Sequence, residues 1–242
     1  MTSLTYLRLE ILRTFRNWRF LIFSLGFPLV LFLTVAGSNR HAQLLGIPFP
    51  LYYLAGMASW GTMVAVISGG ARISVERSDG WTRQMRITPL STNAYFGSKV
   101  LNGYLMAALS IAVLYLAGFL LGVRLSGGEW LTLTGLLLVG LIPFAVLGIL
   151  IGHLLKPDSL GPAMGGGTSL LALLGGAWGP IFQRGVLLKL TKGLPSYWLV
   201  QAGKTAIGGQ LWPAEAWIVM AAWTLVLAVL AVRVYLRDTA RV

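Results

Sequence analysis

The chain has no cysteine, which excludes disulfides and thiolate metal sites and leaves its compartment unread from redox chemistry. Acidic side chains are also scarce, at 7 Asp and Glu in 242 residues against 19 Lys and Arg. Charged residues of both signs make up 11% of the chain, where a soluble domain carries about 25%. A chain so poor in charge and 56% hydrophobic cannot cover a water-facing surface with polar side chains. That excludes a soluble enzyme, a disordered chain and a nucleic-acid-binding domain. No G-x-x-x-x-G-K-[ST] stretch occurs, so the chain lacks the usual cradle for nucleotide phosphates. The 2 histidines, His41 and His153, have no ligand-spaced companions, which argues against a metal site.

Long apolar runs are abundant instead, and the mean hydropathy is +0.76. Six runs occur, at 20–36, 51–71, 100–122, 130–152, 160–182 and 216–232, each close to the roughly 20 residues that cross a bilayer as a helix. The expected fold is an all-α polytopic membrane protein, with the whole chain, 1–242, forming one transmembrane domain. None of the six runs contains Asp, Glu, Lys or Arg. Ion-coupled carriers hold ionisable groups at membrane depth, so self-powered transport is disfavoured.

Ahead of the first run, residues 1–19 place Leu4, Leu7, Ile11, Phe15 and Trp18 on one stripe, with Arg8, Arg13, Arg16 and Arg19 on the flank and opposite face. Such a helix lies in the headgroup layer with its arginines toward lipid phosphate. With the N-terminus inside, 13 of the 19 basic residues fall on the cytoplasmic side, which places both termini there. Between the fifth and sixth runs, residues 195–208 read as a short helix on the outer side. Glycine pairs one turn apart, such as Gly148 and Gly152, let helix backbones approach closely. The fifth run is densest in glycine and carries Pro162 and Pro180, so it is expected to be packed on protein or broken. Leu125 to Glu129 reads LSGGE, like the signature of nucleotide-hydrolysing cassette ATPases. It stands without a phosphate loop and on the outer side, so we read it as coincidence.

The most informative stretch is 72–99, the single substantial polar segment between runs. Asp79-Gly80 makes a turn, and residues 81–87 alternate bulky apolar with basic side chains, as a short helix across the membrane face would. Thr88-Pro89 stops it, because the residue before proline avoids the helical region. Ser91 or Thr92 can cap the third span.

This segment resembles that of the type-2 ATP-binding-cassette (ABC) permeases, particularly the bacterial drug-resistance branch with daunorubicin- and linearmycin-type exporters. The resemblance rests on Glu76-Arg77-x-x-Gly80-Trp81-x-Arg83-Gln84 with Thr88-Pro89-Leu90. Phe27-Pro28, the Gly/Pro-rich fifth run and Leu194-Pro195 support it. It implies a permease subunit without catalytic activity, paired with a second, identical subunit in a bacterial plasma membrane. Two copies of a separate ATPase would bind beneath, and ATP and magnesium would be held there, with no cofactor in this chain. The loop between the second and third spans would be the coupling helix, which places Glu76, Arg77, Gly80, Trp81, Arg83, Gln84 and Arg86 at the ATPase contact. The second and fifth spans would line the substrate path, nominating Met57, Trp60, Met63, Met164 and Trp178. The implied activity is multidrug efflux of an amphiphilic, drug-like or lipid-like substrate. The alternatives are export of a lipid-linked polymer and, from another class, a sensory scaffold whose loop binds a signalling protein.

Overall fold

The computed structural model describes residues 3–81, 90–182, 184–207 and 209–240. Among them the fold is all-α apart from one small hairpin, β1 (Gln43–Leu44) paired antiparallel with β2 (Ile47–Pro48). Four helical stretches are long and apolar enough to cross a membrane: Phe49–Ser78, Thr92–Leu120, Gly127–Leu154 and Ala214–Asp238. Helices of this length and composition are those of a membrane protein.

The first helix, α1 (Ser3–Arg16), inverts the pattern of a soluble amphipathic helix. Tyr6, Glu10 and Thr14, one turn apart, are buried against the bundle, while Leu9, Leu12 and Phe15 are exposed. Apolar side chains outward and polar ones inward suit a helix whose outer surroundings are lipid. After Asn17, the first apolar run winds through α2 (Trp18–Leu21) and α3 (Phe27–Leu31), each followed by a π-helical turn, Ile22–Gly26 and Phe32–Ala36.

The second run forms α4 (Phe49–Ala71), which continues past Arg72 into α5 (Ile73–Ser78). Helix α4 is the centre of the bundle and is buried on every side, which is why its sequence shows no polar face. Its hydroxyls bond backbone instead: Thr62 Oγ1 donates to the Ala58 carbonyl at 2.6 Å, and Ser59 Oγ to the carbonyls of Ala55 at 2.7 Å and Leu199 at 2.9 Å. Against it pack α6 (Thr92–Leu120) and α8 (Ile142–Leu154), the latter forming a bent pair with α7 (Gly127–Gly140). The bend falls at Leu141, where Pro143 in the first turn of α8 removes a backbone donor. The pair Gly148/Gly152 lies where α8 crosses α4. A Cβ on Gly148 would stand 2.5 Å from the Ile67 carbonyl oxygen, and one on Gly152 2.5 Å from that of Gly70. Backbone contact of this kind replaces the hydrophobic drive that lipid cannot supply.

Two turns are fixed by their caps. Ser91 Oγ accepts from the Ala94 amide at 3.2 Å and starts α6. Leu125 to Glu129 has a structural role: Ser126 Oγ accepts from the Glu129 amide at 3.3 Å, and the Glu129 carboxylate from the Ser126 amide at 2.7 Å. This capping box starts α7.

The fifth run does not form one through-going helix. It comprises α9 (Pro157–Pro162), a π-helical turn Ala163–Gly167 and α10 (Thr168–Gly175), and ends at Gly176. Gly176 has φ +84°, a left-handed conformation that ends helices and that glycine adopts without strain. Two helices follow, α11 (Gly185–Lys192) and α12 (Pro195–Ala206), before the long α13 (Ala214–Ala240). Helix α12 occupies the place expected of a short helix at 195–208. It packs on α4, α7 and α10. Trp198 Nε1 donates to the Lys192 carbonyl at 2.7 Å and Trp223 Nε1 to that of Gly193 at 2.8 Å, tying α12 to its neighbours. Lys204 of α12 is partly withdrawn from solvent, its Nζ 5.1 Å from the centre of the Tyr52 ring, and burial lowers its pKa.

Candidate functional site

The polar segment after α4 begins as a helix and is held from two sides. On one side, Glu76 of α5 turns its carboxylate inward, where it is 2% exposed. It accepts hydrogen bonds from Lys99 Nζ and, at 2.6 Å, from the Tyr95 hydroxyl, both from α6. Arg13 of α1 reaches the same carboxylate at 3.4 Å. Lys99 also donates to Glu10 of α1 at 2.9 Å, and its ammonium lies 5.3 Å from the centre of the Tyr95 ring and 5.8 Å from that of Tyr6. Lys99 is fully buried, so its charge is balanced by two carboxylates and two aromatic faces instead of by water. Beside it, Thr14 accepts from Asn102 Nδ2 at 3.0 Å and from Arg72. Burial, and then the carboxylates of Glu76 and Glu10, push the Tyr6 phenol well above its ordinary pKa.

On the other side, Arg77 donates to the carbonyls of His153 at 2.6 Å and Gly152 at 3.3 Å, at the end of α8. It also pairs with Asp238 of α13 at 2.9 Å, whose carboxylate in turn meets His153 Nδ1 at 3.0 Å. Ser74 Oγ donates to the Leu155 carbonyl at 2.6 Å. Helix α5 is thus joined by charged or hydrogen-bonded contacts to α1, α6, α8 and α13. Displacement of α5 loads α1 and α6 most directly, because the charges of Glu10, Glu76 and Lys99 are buried and cannot be separated cheaply, whereas the Arg77–Asp238 pair is partly exposed.

Beyond this seat, Asp79 caps α5, its amide bonding the Val75 carbonyl at 3.0 Å, and Gly80 turns the chain with φ +70°. Trp81 stands exposed past the turn. Arg83, Gln84 and Arg86 lie outside the described residues, as do Thr88 and Pro89. Of the loop residues singled out in the sequence, Glu76 and Arg77 therefore belong to the seat, and Gly80 and Trp81 to the exposed edge.

The residues nominated for a substrate path all fall in or against the main apolar core. Trp60 of α4 meets Trp178 edge-on, with ring centres 5.3 Å apart, and Phe27 of α3 at 5.5 Å. The structure so joins Trp60 to the segment after the broken fifth run. Met57 and Met63 are fully enclosed within the single chain, and Met164 and Trp178 are half-buried. On the π-helical turn near Met164, Gly165, Gly166 and Gly167 face open space, and Leu170 and Leu173 of α10 are exposed.

Sequence reasoning missed Glu10, Tyr95, Lys99 and Asp238. Lys99 precedes the third apolar run by one residue, yet the helix begins at Thr92 and carries it fully inside. One signal was available. Glu10 is the lone acid among the arginines of α1, four residues from Tyr6 and from Thr14, which marks a polar face aimed at protein.

Residues 47–233 match the family described as ABC-2 family transporter protein. A candidate transport permease, YvfS of Bacillus subtilis (strain 168), is 32% identical over 195 residues, covering 78% of each chain. No solved structure matches the chain. The chain belongs to the ABC-2 transporter family and is a transport permease subunit.

Proposed function

We propose that this chain is the membrane half of an ATP-driven exporter in a bacterial plasma membrane, with both termini cytoplasmic. It has no catalytic activity or cofactor of its own. Two copies pair, and two copies of a separate ATPase bind ATP and magnesium beneath them. The amphiphilic, drug-like or lipid-like substrate crosses by alternating access at the interface between the two permeases. The observation that carries this reading is the seat of α5, which links the exposed Trp81 edge to four helices of the bundle. An ATPase bound to Trp81, Arg83, Gln84 and Arg86 would move α5 through Gly80, and Glu76 and Arg77 would pass that movement into the spans.

The pairing surface in this reading is the open face of the fifth run, where a side chain added at Gly165, Gly166 or Gly167 would meet open space and Leu170 is exposed. Trp60, Met57, Met63, Met164 and Trp178 lie behind it and line the path when the subunits rock apart. Because the chain has no native cysteine, Leu170→Cys offers a clean test. In membranes the oxidised variant should run as a dimer and lose efflux of an amphiphilic dye, and reduction should restore both. A variant that stays monomeric under oxidation, with efflux intact, would remove this face from the interface.

A further inference from the structure

We propose that the recess between α1 and the α4–α5 joint binds the phosphate headgroup of an anionic phospholipid. The recess is open to its surroundings and has a volume of about 540 Å³, within the range of small-ligand sites. Its walls carry Arg13, Arg16, Asn17 and Trp18 from the α1–α2 turn, and Arg72 and Glu76 from the joint. Three guanidinium groups against one carboxylate is a surplus of positive charge in a single recess. That carboxylate is already engaged, since Glu76 accepts from Lys99, Tyr95 and Arg13.

The charges can be followed one by one. Glu10 and Glu76 bring two negative charges, and the buried Lys99 cancels one of them. Arg13, at salt-bridge distance from Glu76, cancels the other. Arg72 makes its hydrogen bond to the neutral Thr14 hydroxyl, and Arg16 has no partner among the described residues. Arg72 also feels Glu10 and Glu76, but these two carboxylates face four cations in all, Lys99, Arg13, Arg72 and Arg16, so a net surplus of two positive charges remains at the recess. A phosphate is the group that planar guanidinium forks bind best, with paired charge-assisted hydrogen bonds.

The surroundings select a lipid as the carrier of that phosphate. Trp18 is 64% exposed beside the recess, and Phe15 and Leu12 are exposed on the same helix. An exposed indole next to apolar side chains belongs at headgroup depth, with acyl chains alongside. The proposal rests on α1 lying at the membrane surface, and it goes beyond general attraction of basic residues to lipid. It specifies one held molecule, bridging the α1–α2 turn to the root of α5, so that lipid occupancy would stiffen the seat.

The test uses the full chain in nanodiscs of phosphatidylcholine containing a minor fraction of phosphatidylglycerol, with retained lipid counted by native mass spectrometry. The wild-type chain should hold one phosphatidylglycerol per subunit in preference to phosphatidylcholine. Arg16→Gln/Arg72→Gln should retain about tenfold less, the factor that corresponds to ~1.4 kcal/mol. Arg8→Gln, on an exposed arginine of α1 outside the recess, should retain as much as wild type. If the double variant fails to insert, Arg16→Gln alone carries the test, since that side chain is exposed and unpaired. Equal retention by wild type and the Arg16 variants would overturn the proposal, as would an equal loss in Arg8→Gln, which would reduce the effect to bulk charge. Displacement of the lipid by soluble glycerol phosphate would place the ligand in solution and overturn the lipid assignment. Unchanged lipid with reduced recovery of a co-expressed ATPase would assign the recess to a protein instead. Dye efflux, read on the same variants, reports on transport separately, so loss of the lipid site leaves the permease reading standing.

Discussion

Replacing Lys99 by methionine should destabilise the subunit more than any other single change in the seat. Methionine fills nearly the same volume, so packing is preserved and the charge alone is removed. Glu10 and Glu76, each 4% exposed or less, would then face each other without the ammonium that both now hold. Removing one partner of a buried ionic cluster costs about 3–5 kcal/mol, because the remaining charge stays buried without compensation. Thermal unfolding in detergent should shift down accordingly, and α1 should become open to protease. The double variant Glu10→Gln/Lys99→Met separates charge from packing, because it removes the ammonium together with one carboxylate and leaves Glu76 with Arg13. It should recover most of the lost stability. If Lys99→Met unfolds like wild type, the cluster is not what holds α1 and α5 to α6.

A second large effect is expected at the edge of the loop. Trp81 is exposed past the Gly80 turn and supports no span, so Trp81→Ala should leave insertion and abundance unchanged. Under the proposed function it anchors the ATPase. Interface tryptophans and arginines are the usual anchors, and truncating one costs about 2 kcal/mol. That is roughly a thirtyfold loss of affinity. Trp81→Ala and Arg83→Ala should each weaken recovery of the co-expressed ATPase by about that factor, and efflux should fall in step. Full recovery and efflux in the double variant would show that the loop carries only topological charge.

The contrast between these two sites explains what could be read from the sequence. Apolar runs were legible because a bilayer demands about 20 consecutive apolar residues, and that demand is local. The Gly148/Gly152 contact was legible for the same reason: two small residues one turn apart are visible without knowing the partner. The capping box at Ser126 was visible as residues but was set aside as a chance likeness, although its Ser-x-x-Glu spacing before an apolar run is a helix-start signal. The ionic seat was not legible. Its partners lie far apart in sequence, Glu10 and Lys99 by 89 residues and Arg77 and Asp238 by more, and hydropathy leaves Glu10 and Lys99 outside the apolar runs. Only the fold shows that these charges meet inside. The break in the fifth run was foreshadowed by its glycines and prolines. At Gly176, where the helix ends, the carbonyl accepts from the Tyr52 hydroxyl at 2.7 Å, a partner 124 residues away in sequence.

The central claim is that this chain transports but does not hydrolyse, and that a separate ATPase drives it through α5. Its most direct measurement is ATP-dependent accumulation of an amphiphilic dye in inverted membrane vesicles, made with the permease alone, the ATPase alone and the two together. Accumulation should appear only with both, and purified permease should hydrolyse no ATP by itself. Accumulation or hydrolysis by the permease alone would contradict the account.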